Sequence, residues 1–434
     1  MNFLISTQRN LLFIFLLVFT FIFLAADQLS AIPAFARKYN TSCSTCHYAY
    51  PKLNAFGKAF KNNGYRYPAG QDAEMTKEEP VSLGSEGYKK VWPDAIWPSD
   101  IPGTVPVSMH AIGRVFAAGG FDDPTTTATE EDKIVSFEIP HELELLFGGT
   151  IGENLSFFGE LEWEHIEEFA YEFALQYDFS PGFHLKLGSV GPQATPEHHK
   201  LTAEHYNVVD LKTQSGKFRL RNGAGGGIEF WGAGNGIGGS GGFTYAIGIG
   251  NGQNDADNFD INKEKDIFGR VTYKFGGLGE IGGTEGQTNN TSAFYEDNSF
   301  RIGGFFQKGT ALATNLNDEF SVFGGDIDIW YNRLNVVALV MNMSSDYKGY
   351  DRKSLAYFVE ANYVLYPWVI ALARYEFTDI DTDIANPTVS SLIPGVVFMV
   401  RANVKASLEF KIPLDDASKN ANKEKITLQF NFSI

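Results

Sequence analysis

The chain has 434 residues, with 52 acidic against 35 basic side chains and a formal net charge of −17. That balance excludes a general nucleic-acid binder, whose electrostatic footprint is basic. Aromatics make up 14% of the residues, yet the mean hydropathy is only −0.16, so apolar side chains must be interleaved with charged ones.

Residues 1–31 carry Arg9 and then an apolar run from Leu11 to Ala26. The run is short for a membrane span. Polar Asp27 and Gln28 follow without a basic stop-transfer cluster, and Ala25, Ala26, Ser30 and Ala31 offer cleavage points. The segment reads as a secretory signal peptide, a retained anchor being the alternative.

Residues 32–70 hold both cysteines of the chain, in "NTSCSTCHYAYPKLNAFGKAFKNNGY". In an exported protein Cys43 and Cys46 could form a disulfide, but redox pairs at this spacing sit in a βαβ context that is absent here. Zinc needs four ligands, and Cys43, Cys46 and His47 supply three. Cys-x-x-Cys-His is also the attachment signal for c-type haem. The segment is therefore expected to carry one covalent haem c, with Cys43 and Cys46 as thioether donors and His47 as axial iron ligand. Pro51 and Gly64 bracket a helix in which Leu53, Phe56 and Phe60 recur on one face. Lys52, Lys58, Lys61 and Arg66 could meet haem propionates, but most are expected on a solvated face. Met75 and His110 are the candidate sixth ligands. About forty residues cannot bury a core and a porphyrin alone, so the haem must borrow shelter from the rest of the chain.

Residues 71–103 form an acidic, Pro-rich connector with Trp92 and Trp97. It reads as an ordered crossing without regular structure.

Residues 104–434 alternate. In "NLSFFGELEWEHI", Leu155, Phe157, Gly159, Leu161 and Trp163 share one face, with Glu160, Glu162 and Glu164 on the other. In "FAYEFALQYDF", Phe169, Tyr171, Phe173, Leu175, Tyr177 and Phe179 oppose Glu172, Gln176 and Asp178. One greasy and one charged face suits a transmembrane barrel better than a soluble sandwich, which stays the alternative. Short turns at 331–333, 366–368 and 401–403 are set against long loops at 250–265, 286–298 and 413–423. Seventeen segments alternate in this way, and an even number is required. One segment is false or split, with 223–242 and 278–300 the suspects. The expected fold is an all-β outer-membrane barrel of about sixteen strands, preceded by the short helical haem segment.

The run "PAFARKYNTSCSTCHYAYPKLNAFGKAFKNNGY" resembles the N-terminus of fused cytochrome–porin proteins of the outer membrane, which include the iron-oxidising cytochromes of iron bacteria. The resemblance rests on Phe35-Ala36-Arg37, Cys43, Cys46, His47, Pro51, Leu53, Phe56-Gly57, Phe60-Lys61 and Gly64-Tyr65. It implies a single c-type haem within or against a barrel of about sixteen strands, passing electrons across the outer membrane. It covers about thirty-five residues and carries no electron-donor motif, and the connector at 80–103 departs from it.

The functional expectation is an electron conduit that oxidises extracellular Fe(II) and reduces a periplasmic c-type cytochrome, with the haem segment entering from the periplasmic side. The alternatives are a diffusion porin with a structural or redox-sensing haem plug, and a conduit running electrons outward. By parity Glu138, Glu142, Glu144, Glu160, Glu162, Glu164 and Glu172 point into the lumen. Such a channel concentrates cations, and carboxylates suit Fe(II) or Mn(II). "GPQATPEHHKLTAEHYNVVD" clusters Glu197, His198, His199, Glu204 and His205, as an iron entry site, a folded-in constriction loop or a solvated loop. Gly-rich 223–236 lies among strands without a following helix, which speaks against a phosphate loop.

Overall fold

The computed structural model describes residues 33–434 apart from 97–99, 104, 119–133, 165–167, 192–200, 218–224, 253–261, 284–292, 314, 384–387 and 416–423. The expected signal peptide, Trp97, Glu197, His198 and His199 lie outside the described residues.

The N-terminal part holds α1 (Ala34–Tyr39), a 3-10 turn (Cys43–Thr45), a hairpin of β1 (His47–Ala49) and β2 (Lys52–Leu53), then α2 (Ala55–Asn62), α3 (Asp72–Met75) and α4 (Ser85–Val91). The barrel strands are β3 (Val107–Ala118), β4 (Ile134–Ile151), β5 (Leu155–Glu164), β6 (Glu168–Ser180), β7 (Phe183–Ser189), β8 (Gly226–Asn235), β9 (Ser240–Gly250) and β10 (Asp266–Leu278). They continue as β11 (Ser299–Ala313), β12 (Leu316–Tyr331), β13 (Leu334–Tyr347), β14 (Tyr350–Tyr366), β15 (Val369–Asp379), β16 (Val389–Arg401), β17 (Val404–Pro413) and β18 (Lys425–Ser433). These sixteen strands form a closed antiparallel barrel in which β18 pairs with β3. Met109 and Ile434 exchange both backbone hydrogen bonds across that seam, at 2.7 and 2.8 Å. Closure leaves no unpaired sheet edge.

The barrel is inside-out relative to a soluble domain. On β6 the residues Phe169, Tyr171, Phe173, Leu175, Tyr177 and Phe179 are 37–55% exposed on the outer face, while Ala174, Gln176 and Asp178 are buried toward the lumen. The same parity runs round the wall: Ile247, Val271, Phe275, Phe323, Val340 and Val359 are exposed, whereas Arg374, Glu360, Asp328, Lys405 and Glu409 are buried. Strand side chains alternate in direction with period two, so the sequence pattern converts directly into an apolar exterior and a polar interior.

One of the seventeen expected strands is false. Gly276 and Gly277 take φ of 74° and 67°, which ends β10 at Leu278. Glu280 then turns inward to meet Arg301 at 2.8 Å, so 279–281 do not continue as a strand. The loop at 286–298, part of the β10–β11 connection, is one of the long loops expected opposite the short turns. It lies instead on the rim shared by the turns at 332–333, 367–368 and 402–403. The connector is not devoid of regular structure either: it contains α4 and a Val81–Ile101 bridge, and Trp92 is exposed.

Residues 33–76 sit in the lumen, as the expected need for shelter requires. Ala34 N donates to Ser108 Oγ on β3, Lys38 Nζ to Thr150 on β4, Lys52 Nζ to Asn335 on β13 and Lys405 Nζ on β17 to Tyr50 O. Lys58 pairs with Asp328 at 3.0 Å and Arg66 with Asp178 at 2.7 Å. The expected solvated face is thus corrected for Lys52, Lys58 and Arg66: their cations face lumenal carboxylates and amides. A buried charge is tolerated only when paired in this way.

Candidate functional site

The Cys43–His47 turn is built on the start of α2. Asn54 caps that helix, accepting from Gly57 N at 2.9 Å, while its Nδ2 donates to Ser44 O and Thr45 O. Such a cap contributes about 1 kcal/mol to the helix. It also ties the helix to the cysteine turn. Asn54, rather than the expected Pro51, therefore opens the helix; Pro51 lies in the β1–β2 turn. Gly57 is required by close approach: a Cβ there would stand 2.0 Å from Cys46 O.

His47 Nδ1 lies 3.1 Å from Pro51 O. A carbonyl only accepts, so the proton is on Nδ1 and the Nε2 lone pair is left for another partner. A metal-ligating histidine is commonly fixed through its second ring nitrogen in this way. Burial pushes the His47 pKa down to about 4, which keeps the ring neutral. Burial also raises both thiols, Cys46 to about 12. Neither is then an activated thiolate of the kind a redox pair needs, and the two sulfurs are free rather than bridged. Two thiols and a neutral, oriented imidazole are the donor set that a covalently attached haem takes.

Tyr50 lies between the motif and the wall. Its ring is 5.1 Å from His47 and 4.7 Å from His110, centroid to centroid. His110 is therefore one ring away from the motif, with Nδ1 2.8 Å from Glu144 Oε2 and Nε2 3.3 Å from Asn431 Nδ2. Met75 closes α3, whose Asp72 accepts from the Tyr39 hydroxyl at 2.6 Å and from Tyr67 N.

The seven glutamates do share the inner face. The register puts Glu138 opposite Arg114, Glu142 opposite Ile112 and Glu144 opposite His110. It sets Glu142 against Glu164, Glu144 against Glu162 and Glu160 against Glu172. Phe137 and Ile139 point outward between them.

A second inward segment faces the plug. Leu201, Ala203, Tyr206, Val208, Leu211 and Thr213 are buried, so 201–213 is a folded-in loop and not a solvated one. Fully buried Arg374 holds it, donating to Thr202 Oγ1 and to the carbonyls of Glu204 and His205. Glu204 meets Lys425 at 2.8 Å and Lys411 at 3.8 Å. Although burial works to raise its pKa, those lysines bring it down to about 2. Glu204 thus serves as an anchor; Glu197, His198 and His199, the other acidic and histidine candidates of that segment apart from His205, lie outside the described residues. Leu201 also packs in one apolar cluster with Tyr48, Ala49 and Tyr295, so loop, plug and the 279–298 connection meet. Sequence reasoning missed this contact because its members are far apart in the chain. Beside α2 remains a cavity of about 120 Å³ lined by Lys58, Lys61, Tyr65, Glu172 and Trp231 among others, and without Cys43, Cys46 or His47.

No family model matches this chain, and no curated protein matches it. Solved structures share its fold. The anion-selective porin of Comamonas acidovorans is 15% identical, covers 76% of this chain and 99% of its own, and superposes with a TM-score of 0.50. OmpT of Vibrio cholerae in its trimer form is 9% identical over 76% and 99%, with a TM-score of 0.48. OmpF of Salmonella typhi, in complex with daunomycin, is 12% identical over 76% and 97%, with a TM-score of 0.47. At 15% identity the likeness to the Comamonas acidovorans porin carries the barrel fold and nothing finer.

Proposed function

We propose that the chain is a bacterial outer-membrane barrel that holds one covalent c-type haem in its lumen and carries electrons across the membrane, from Fe(II) on the loop side to a periplasmic c-type cytochrome. The observation that carries the reading is the Cys43–His47 turn lodged inside a barrel with an apolar exterior, its imidazole neutral and fixed through Nδ1. An apolar band of this kind is about 25 Å tall, too thick for one fast electron step through lipid. When bound, a haem supplies a one-electron carrier partway along that distance. The chain's own residues do the remaining work: Cys43 and Cys46 hold the group covalently and His47 presents Nε2. Gly57 lets α2 press on the turn. Lys52, Lys58 and Arg66 keep the segment in the lumen, and the glutamate wall draws cations rather than anions.

A diffusion porin with a haem plug is the second reading. The small cavity beside α2 is the observation that favours it, since a solute path could run there. Two measurements on purified full-length protein are needed: the first tests the haem common to both readings, and the second separates them. Haem-linked peroxidase staining on a denaturing gel should show covalent haem, lost in Cys43→Ser and Cys46→Ser; an unstained wild-type band sinks the haem reading. In liposomes of checked orientation, Fe(II) added outside should reduce the haem band. A band that stays oxidised while small solutes leak through establishes the porin reading instead.

A further inference from the structure

We propose that His110, Glu142 and Glu144 form a binding site for a divalent first-row transition cation, set into the lumen wall one aromatic ring from the Cys43–His47 turn. His110 is 3% exposed on β3, and the two glutamates stand on adjacent β4. One ligand atom from each residue lies within 4.8 Å of the others. One imidazole nitrogen with two carboxylates is a mixed donor set that suits Fe(II) and Mn(II). It is distinct from a bare acidic patch because the buried histidine supplies the directional nitrogen.

The wall around the triad is rich in further oxygen ligands. On three rungs a glutamate faces a glutamate: Glu142 with Glu164, Glu144 with Glu162 and Glu160 with Glu172. Glu144 is paired with His110 at 2.8 Å and Glu164 faces His141 at 4.0 Å, so the carboxylates offer oxygen ligands around the triad without leaving it a bare patch of charge. Two of the three rungs include a residue of the triad. An ion held by His110 and Glu144 takes the place of the hydrogen now shared between Nδ1 and Oε2 at 2.8 Å; metal binding releases protons in this way.

The position has a functional consequence. Tyr50 contacts both His110 and His47 through its ring, so a cation at the triad is separated from the motif by a single side chain. Service of the site as the place where the electron donor docks rests on the haem reading, whereas cation binding does not.

The test uses full-length protein in detergent and Mn(II) as a redox-inert probe, with free Mn(II) read by electron paramagnetic resonance. Wild type is expected to bind one Mn(II) saturably, and E142Q/E144Q to weaken binding by at least about tenfold. H110Q serves as the second variant should the double substitution misfold, with heat-modifiable gel migration as the folding check. E86Q, at an exposed position on α4, should leave binding unchanged. Absence of saturable binding, or equal affinity in folded E142Q/E144Q or H110Q, overturns the site and leaves His110–Glu144 as a structural pair. Haem staining is scored on the same samples: a haem-free wild type that still binds Mn(II) removes the haem reading and keeps the site.

Discussion

Lys58 Nζ lies 3.0 Å from Asp328 Oδ2, 270 residues further along the chain, with both side chains buried in the lumen. Asp328 also accepts from Asn335 Nδ2 at 2.7 Å, and Asn335 accepts from Lys52 at 2.6 Å. One network therefore locks α2 and β2 to β12 and β13. Removing one member of a buried pair leaves an uncompensated charge and costs about 3–5 kcal/mol, whereas replacing both by apolar groups can be neutral. K58A is expected to loosen the plug, seen as faster proteolysis within 33–76 and higher conductance in planar bilayers. K58M/D328N, which keeps an acceptor for Asn335, should recover part of the loss. Wild-type protease resistance in K58A would show that the plug is held elsewhere.

Gly57 offers a more local test. A Cβ at this position collides with the Cys46 carbonyl, and overpacking of this kind costs about 1–3 kcal/mol. G57A is expected to displace the cysteine turn and lower covalent haem yield while the barrel still assembles. Pyridine haemochrome spectra normalised to protein would check it, and an undiminished yield would mean the turn moves freely.

Arg374 holds the inward loop and not the plug. It contacts Glu376 at 2.9 Å and Glu360 at 3.7 Å as well as the loop carbonyls. R374A removes the cation beside two buried carboxylates, at a cost of about 3–5 kcal/mol. Conductance should rise with haem yield unchanged. A fall in both would place Arg374 in support of the plug too.

Glu204 gives a pH window. Its native pKa of about 2 lies below the 4.5 of an unperturbed carboxyl, so the unfolded loop binds the proton first as pH falls. The contribution is present in full above about pH 4.5 and is lost between there and about pH 2; it is on the order of 3 kcal/mol. Hydrogen exchange at 201–213 should accelerate across that window in wild type. E204Q should lack the acceleration, and an E204Q profile that follows wild type would assign the window to another group.

By itself the sequence determined the barrel and its parity. A strand that meets an apolar surround on one side and water on the other needs a period-two pattern, and "FAYEFALQYDF" states it without reference to any other segment. The Cys43–His47 motif was equally visible, because five consecutive residues spell it. Tertiary structure alone decided the rest. Residues 278–286 look like a strand until Glu280 is seen to reach inward to Arg301. Lys52, Lys58 and Arg66 read as solvated until β6, β12 and β13 supply their partners. The same holds for His110, Glu142 and Glu144, which converge only when β3 pairs with β4 and come near His47 only when the plug sets Tyr50 against them. A local pattern fixes which way a side chain points, but which partner it meets depends on strand order, closure and what fills the lumen.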